Sequence, residues 1–129
     1  MPSLRRETDY ALHFLRALSK KRDDFVSLKT ISIETGVSYL FLQKIARKLR
    51  QAGIIESGAG VNGGYRLEIE PRKLSLNKII SAIEGPCALW RCCGKKGCAG
   101  SATCPQSKKV QKINKKVEKV LEGVKLTDI

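Results

Sequence analysis

A chain of 129 residues with 42% apolar and 29% charged side chains is long enough for one modest core, and this composition excludes a disordered protein. Its longest apolar run falls well short of the roughly 20 residues that span a bilayer, and the N-terminal MPSLRRETDY has no apolar signal region, so a cytoplasmic protein is expected. A net charge of +13 points to a polyanionic partner. No basic helix carries Trp on its opposite face, so nucleic acid is favoured over a membrane.

The first expected element is an amphipathic helix over residues 5–20, where Tyr10, Ala11, Phe14, Leu15 and Leu18 recur at helical spacing. KRDD at 21–24 breaks the pattern. Ser27 caps a second helix that runs through Leu28, Ile31 and Ile33 and stops at Gly36. Ser38 caps a third, YLFLQKIARKLRQA, with Phe41, Leu42, Ile45 and Leu49 as its buried stripe and Gly53 closing it. A short helix, a glycine-containing turn and a longer basic helix make a helix-turn-helix. Tyr39, Gln43, Lys44, Arg47, Lys48 and Arg50 fall on the exposed face of that longer helix. Gln43 suits a base edge in the major groove, and the Lys and Arg groups suit phosphates.

Two short extended runs, Ile54–Glu56 and Tyr65–Ile69, flank the turn-rich stretch Gly58 to Gly64 and predict a β-hairpin, placed where a wing belongs. Gly60, Asn62, Gly63 and Gly64 permit positive φ and close backbone approach to a groove or phosphate. Pro71 ends the wing, and Ser75 caps a fourth helix, LNKIISAIE, that Gly85-Pro86 terminates. A last helix is expected from about Pro105 to Lys125. Its narrow stripe of Val110, Ile113, Val117, Val120 and Val124 suits a helix–helix seam between two subunits. The expected fold is therefore mainly α with a small β-wing: a winged helix-turn-helix over 1–86, a cysteine-rich loop over 87–104 and a C-terminal dimerisation helix over 105–129.

All five cysteines lie in that loop, CALWRCCGKKGCAGSATC. Disulfides are rare in a reducing compartment, and an odd number cannot pair completely. The thiols sit among Gly, Lys, Ser and Thr, which does not suit inert packing. The series Cys92-x5-Cys98-x5-Cys104 contains no Cys-x-x-Cys, the short spacing typical of structural zinc and of thioredoxin-like motifs. A wide loop with Gly94, Gly97 and Gly100, and with Arg91, Lys95 and Lys96 to favour thiolates, suits an iron–sulfur cluster better. Zinc and thiol–disulfide chemistry stay open on spacing alone. With no Ser/His/Asp set, no phosphate loop and one histidine, the sequence carries no enzyme site.

Three segments together resemble bacterial winged-helix regulators of the IscR, NsrR and RirA type: TDYALHFL at 8–15, YLFLQKIARKLRQAGIIESGAGVNGGYRL at 39–67, and the triplet Cys92, Cys98, Cys104. The resemblance implies a homodimer on double-stranded palindromic promoter DNA, with long C-terminal helices crossing at the dimer interface. It implies a 4Fe–4S or 2Fe–2S cluster on the triplet that senses iron–sulfur status, nitric oxide or redox state. It also places Ser38, Gln43 and Lys44 among recognition-helix contacts. The histidine that IscR-type proteins carry three residues after the third cysteine is Ser107 in this chain. The resemblance therefore moves the fourth ligand to Asp9, with His13 and Cys93 as alternatives, and leaves Cys87 as a spare thiol. Where such regulators carry a groove-reading arginine and a proline on the wing, Ala59 and Val61 stand, and Asn62 and Arg66 are the substitutes.

Overall fold

A computed structural model describes residues 3–60, 63–94, 97–100 and 102–129. The elements are α1 (Arg6–Lys20), α2 (Leu28–Thr35), α3 (Tyr39–Gln51), β1 (Ile55–Gly58), β2 (Gly64–Leu67), α4 (Leu76–Glu84) and α5 (Ser107–Gly123). Single 3-10 turns sit at Pro71–Lys73, Arg91–Cys93 and Leu126–Asp128. Mostly helical with one small antiparallel sheet, this is the winged helix-turn-helix the sequence predicts.

Three helices start where a serine supplies the missing acceptor. Ser27 Oγ accepts from the Thr30 N–H at 3.2 Å, Ser38 Oγ from Phe41 at 3.3 Å and Ser75 Oγ from Lys78 at 3.1 Å. Each cap contributes about 1 kcal/mol. Gly36 ends α2 in the left-handed region (φ 74°), and the Ser32 hydroxyl donates to the Val37 carbonyl at 2.6 Å, fixing the turn into α3. α1 has no side-chain cap of its own. Glu84, the last residue of α4, supplies one: it accepts from the Arg5 N–H and, at 2.6 Å, from the fully buried Thr8 hydroxyl.

Phe14, Leu15, Ile31, Leu42, Ile45, Leu49, Ile54 and Ile79 are fully buried where α1, α2, α3 and α4 meet. Each such side chain stabilises the fold by about 1.5–3 kcal/mol. Two apolar helix positions lie nearer the surface than the rest. Ile33 is 75% exposed, because α2 is only eight residues long and turns Leu28 and Ile31 inward, leaving Ile33 about 200° round the axis from Ile31. Phe41 is half-buried and meets the Tyr10 ring edge-on at 5.3 Å.

The wing strands pair Ile55↔Leu67, Glu56↔Arg66, Ser57↔Tyr65 and Gly58↔Gly64. β2 therefore begins at Gly64 and ends at Leu67, short of the expected Ile69. Val26 acts as a one-residue third strand, exchanging two 2.8 Å backbone bonds with Tyr65. That contact requires glycine beside it: at Gly64 (φ 143°) a Cβ would lie 2.3 Å from the Val26 carbonyl oxygen. The close approach expected of this glycine is thus made to the chain's own backbone.

α5 ends at Gly123, two residues before the expected Lys125, because the chain turns back. The Leu76 N–H donates to Val124 at 2.7 Å, the Leu126 N–H donates to Leu74 at 2.9 Å, and Leu126 is buried. The apolar stripe of α5 also divides. Val110 and Asn114 are buried and Val117 half-buried on the side that packs against the chain's own domain. Ile113 and Val120 are 46% and 67% exposed. No helix among the described residues is long and apolar enough to cross a membrane.

Candidate nucleic-acid interface and cysteine loop

α3 presents Tyr39, Gln43, Arg47 and Arg50 to solvent, and Ser38 serves as its N-cap. Leu40, 78% exposed, lies among them and is a surface position that the charge pattern does not reveal. The lysines of α3 behave differently from its arginines. Lys44 Nζ donates to Glu7 at 2.7 Å, and Lys48 Nζ donates to Glu7 at 2.8 Å and to the Ile83 carbonyl at 3.2 Å. Hydrogen bonds from Lys44 and then Lys48 hold the Glu7 carboxyl at about 2, below its usual 4.5. Lys44 and Lys48 thus join α3 to α1, and Lys48 also reaches α4. Arg47 and Arg50 have no ion-pair partner among the described residues.

On the wing, Arg66 is engaged within the chain. Its Nε donates to Glu56, directly opposite on β1, at 2.8 Å, and its guanidinium lies 4.3 Å over the centre of the Phe25 ring. The geometry gives it a part in holding the wing to the α1–α2 connection. The other wing candidate, Asn62, lies outside the described residues, as do Val61 and the loop cations Lys95 and Lys96.

The cysteine loop is rooted by one side chain that sequence reasoning missed. Asn114 on α5 accepts from the Leu89 N–H at 2.9 Å and donates to the Cys87 carbonyl at 2.9 Å and to Glu118 at 3.0 Å. The available signal was its place in the spacing Val110, Asn114, Val117, Leu121, where a polar residue takes a buried position. All five thiols are free. Cys87, Cys92 and Cys93 are half-buried, whereas Cys98 and Cys104 are exposed. Burial, then the Glu118 carboxylate, raises the Cys87 thiol. Burial, then the adjacent Cys93 sulfur, raises Cys92, and Cys98 adds to this. Ser107 is buried and accepts from the Gln111 side chain at 3.2 Å, and it lines a hollow together with Ala102 and Cys104 of the loop.

Asp9 and His13 sit one turn apart on the exposed side of α1, Oδ2 to Nε2 at 3.8 Å. Among the described residues, no three His, Cys, Asp or Glu side chains converge to hold a metal ion. The structure therefore brings Asp9 to His13 and Cys92 to Cys93, but gathers the triplet with neither.

Comparison with known proteins places this arrangement. The chain is 32% identical over 104 residues to the HTH-type transcriptional regulator IscR of Aliivibrio salmonicida, covering 81% of this chain and 62% of that protein. It is 28% identical over 121 residues to IscR of Vibrio cholerae, covering 94% and 66%. The chain thus spans 62–66% of the length of these two relatives. Among solved structures, CymR, the global cysteine regulator of B. subtilis, superposes with a TM-score of 0.76 at 27% identity, covering 99% of this chain and 95% of that one. IscR of T. potens gives a TM-score of 0.71 at 28% identity, covering 98% and 85%. The named relatives are transcriptional regulators, not enzymes. The pattern of the Rrf2 family, described as an iron-dependent transcriptional regulator, matches residues 4–129, and the chain belongs to that family.

Proposed function

We propose that the chain works as a homodimer that binds double-stranded promoter DNA and senses iron–sulfur status, nitric oxide or redox state through its cysteine loop. In this reading Cys92, Cys98 and Cys104 hold a 4Fe–4S or 2Fe–2S cluster, with Asp9 as fourth ligand and His13 or Cys93 as alternatives. The donor set suits such a group: three free thiols in one loop, two of them exposed, with none in a disulfide. When bound, the cluster supplies a centre that reacts with oxidants and nitric oxide. Ser38, Tyr39, Gln43 and Arg47 would face the DNA, and Ile113 and Val120 would join the subunits.

The observation that carries the reading is the wiring of the loop's root. The loop leaves α4 at Glu84-Gly85-Pro86. The last turn of α4 contacts α1 through Glu84 and α3 through the Ile83 carbonyl, which accepts from Lys48. A displacement of the loop at Cys87 therefore pulls on the turn that positions the recognition helix. A group held by Cys92, Cys98 and Cys104 would therefore be linked to that root through the loop itself.

A second reading, a zinc- or thiol–disulfide-based regulator of the same fold, is favoured by the contact between the Cys92 and Cys93 thiols and by the likeness to a cysteine regulator. Anaerobic purification separates the two. Brown protein with near-equal iron and sulfide, lost in Cys98→Ala, supports the cluster; colourless protein with zinc or a reducible disulfide replaces it with the second reading. Native mass spectra of Asp9→Ala and His13→Ala then test the fourth ligand, and an unchanged cluster in both variants would leave Cys93 or Cys87.

A further inference from the structure

Of the four cations on the outward side of α3, Lys44 and Lys48 are held by Glu7, whereas Arg47 and Arg50 open onto a hollow of about 550 Å³ between the recognition helix and the wing. Gln51 and Tyr65 complete its lining. Each of these side chains offers a hydrogen-bond donor, and no carboxylate lines the hollow among the described residues. Tyr65 is the least movable of the four. Its backbone is fixed by the two bonds to Val26, and its ring meets Phe14 edge-on at 6.2 Å. Two guanidiniums, an amide and a pre-set phenol form a receptor for an oxyanion.

Resting on the DNA-binding reading above, we propose that this hollow is a seat for one phosphodiester of the duplex backbone, clamped between α3 and the wing by Arg47, Arg50, Gln51 and the Tyr65 hydroxyl. Such a contact sets the angle of the recognition helix in the groove without reading sequence. It also gives the wing a phosphate contact that does not depend on Arg66, which Glu56 and Phe25 already engage. The lysines held by Glu7 contribute less to the salt dependence than their charge suggests.

The test measures anisotropy of the full chain on a mixed-sequence 30-base-pair duplex across a salt series. Arg47→Ala and Arg50→Ala should each lower the slope of log affinity against log salt by about 0.9, the value of one phosphate contact. Tyr65→Phe keeps the ring on Phe14 and removes one uncharged donor, so affinity should fall about three- to ten-fold with the slope unchanged. Lys44→Ala should change the slope by less than either arginine variant. Circular dichroism melts confirm that each variant is folded. If wild type binds with a steep salt slope but Arg50→Ala and Tyr65→Phe match it, the seat is wrong and the DNA-binding reading stands. If wild type shows no salt-dependent binding, both fall. If inorganic phosphate binds wild type at millimolar concentration, is lost in Arg50→Ala, and the DNA slopes do not move, the hollow is a site for the free anion and the seat is overturned.

Discussion

The winged helix-turn-helix head and the cysteine loop are held by different forces. In the head, α1 to α4 and the wing close over aliphatic side chains such as Leu42, Ile45 and Leu49, each at 0% exposure. In the loop, residues 87–104 include no buried apolar side chain among those described, and Asn114 ties the root through two backbone hydrogen bonds. A region held by burial resists partial movement, since displacing one residue opens a cavity. A region held by a few polar ties can rearrange locally. The two meet at the last turn of α4 and again along α5, where Asn114 holds the loop's root.

The largest expected effect breaks the head. Leu49→Ala removes a fully buried side chain of α3 and should cost about 2–5 kcal/mol in urea denaturation. A loss below about 1 kcal/mol would show that the head is not closed by burial at this position. Asn114→Ala comes next. It leaves the Leu89 N–H and the Cys87 carbonyl without their partner, costing about 1–3 kcal/mol, and should speed alkylation of Cys87 by iodoacetamide. Unchanged alkylation would mean that the loop's root is fixed elsewhere.

A smaller effect depends on pH. The Glu7 carboxyl titrates at about 2 in the folded chain against 4.5 ordinarily. Its stabilising contribution is therefore present above about 4.5 and is lost as pH falls through about 2. Solvent screens the pair, because Lys44 is 60% exposed, so the effect should be about 1 kcal/mol. Melts between pH 6 and 2 should show wild type losing this increment and Glu7→Gln lacking it throughout; parallel curves would remove the Glu7 clip from the account. Smallest of all, Cys98→Ala and Cys104→Ala should each leave the apo protein within about 0.5 kcal/mol of wild type, since both side chains are exposed.

The two regions also differed in how far the sequence exposed them. The head was legible because its signals are local: Ser27, Ser38 and Ser75 cap helices within three residues, and the glycines of the wing mark its turn. What stayed hidden joins distant segments. The Glu7 clip links positions 37 and 41 residues apart, and on the sequence Lys44 looks no different from Arg47. The Val26 bridge is a single residue and leaves no periodicity. In the loop the spacing of Cys92, Cys98 and Cys104 was plain, but spacing carries no information on whether three thiols converge, and no such group of three converges among the described residues. The stripe on α5 was visible as one line, whereas its division into a side packed on the chain's own domain and an exposed edge depends on how the helix docks on α4.

The central claim is that the state of the cysteine loop reaches the recognition helix through the last turn of α4. The most direct test is the affinity of cluster-loaded and cluster-free protein for one promoter duplex, measured anaerobically at fixed salt. The account predicts a ratio of at least about five-fold, within the usual range of coupling between two sites. It further predicts that Lys48→Met, which cuts the bond to the Ile83 carbonyl, shrinks that ratio. Equal affinities of the loaded and free forms would contradict the account.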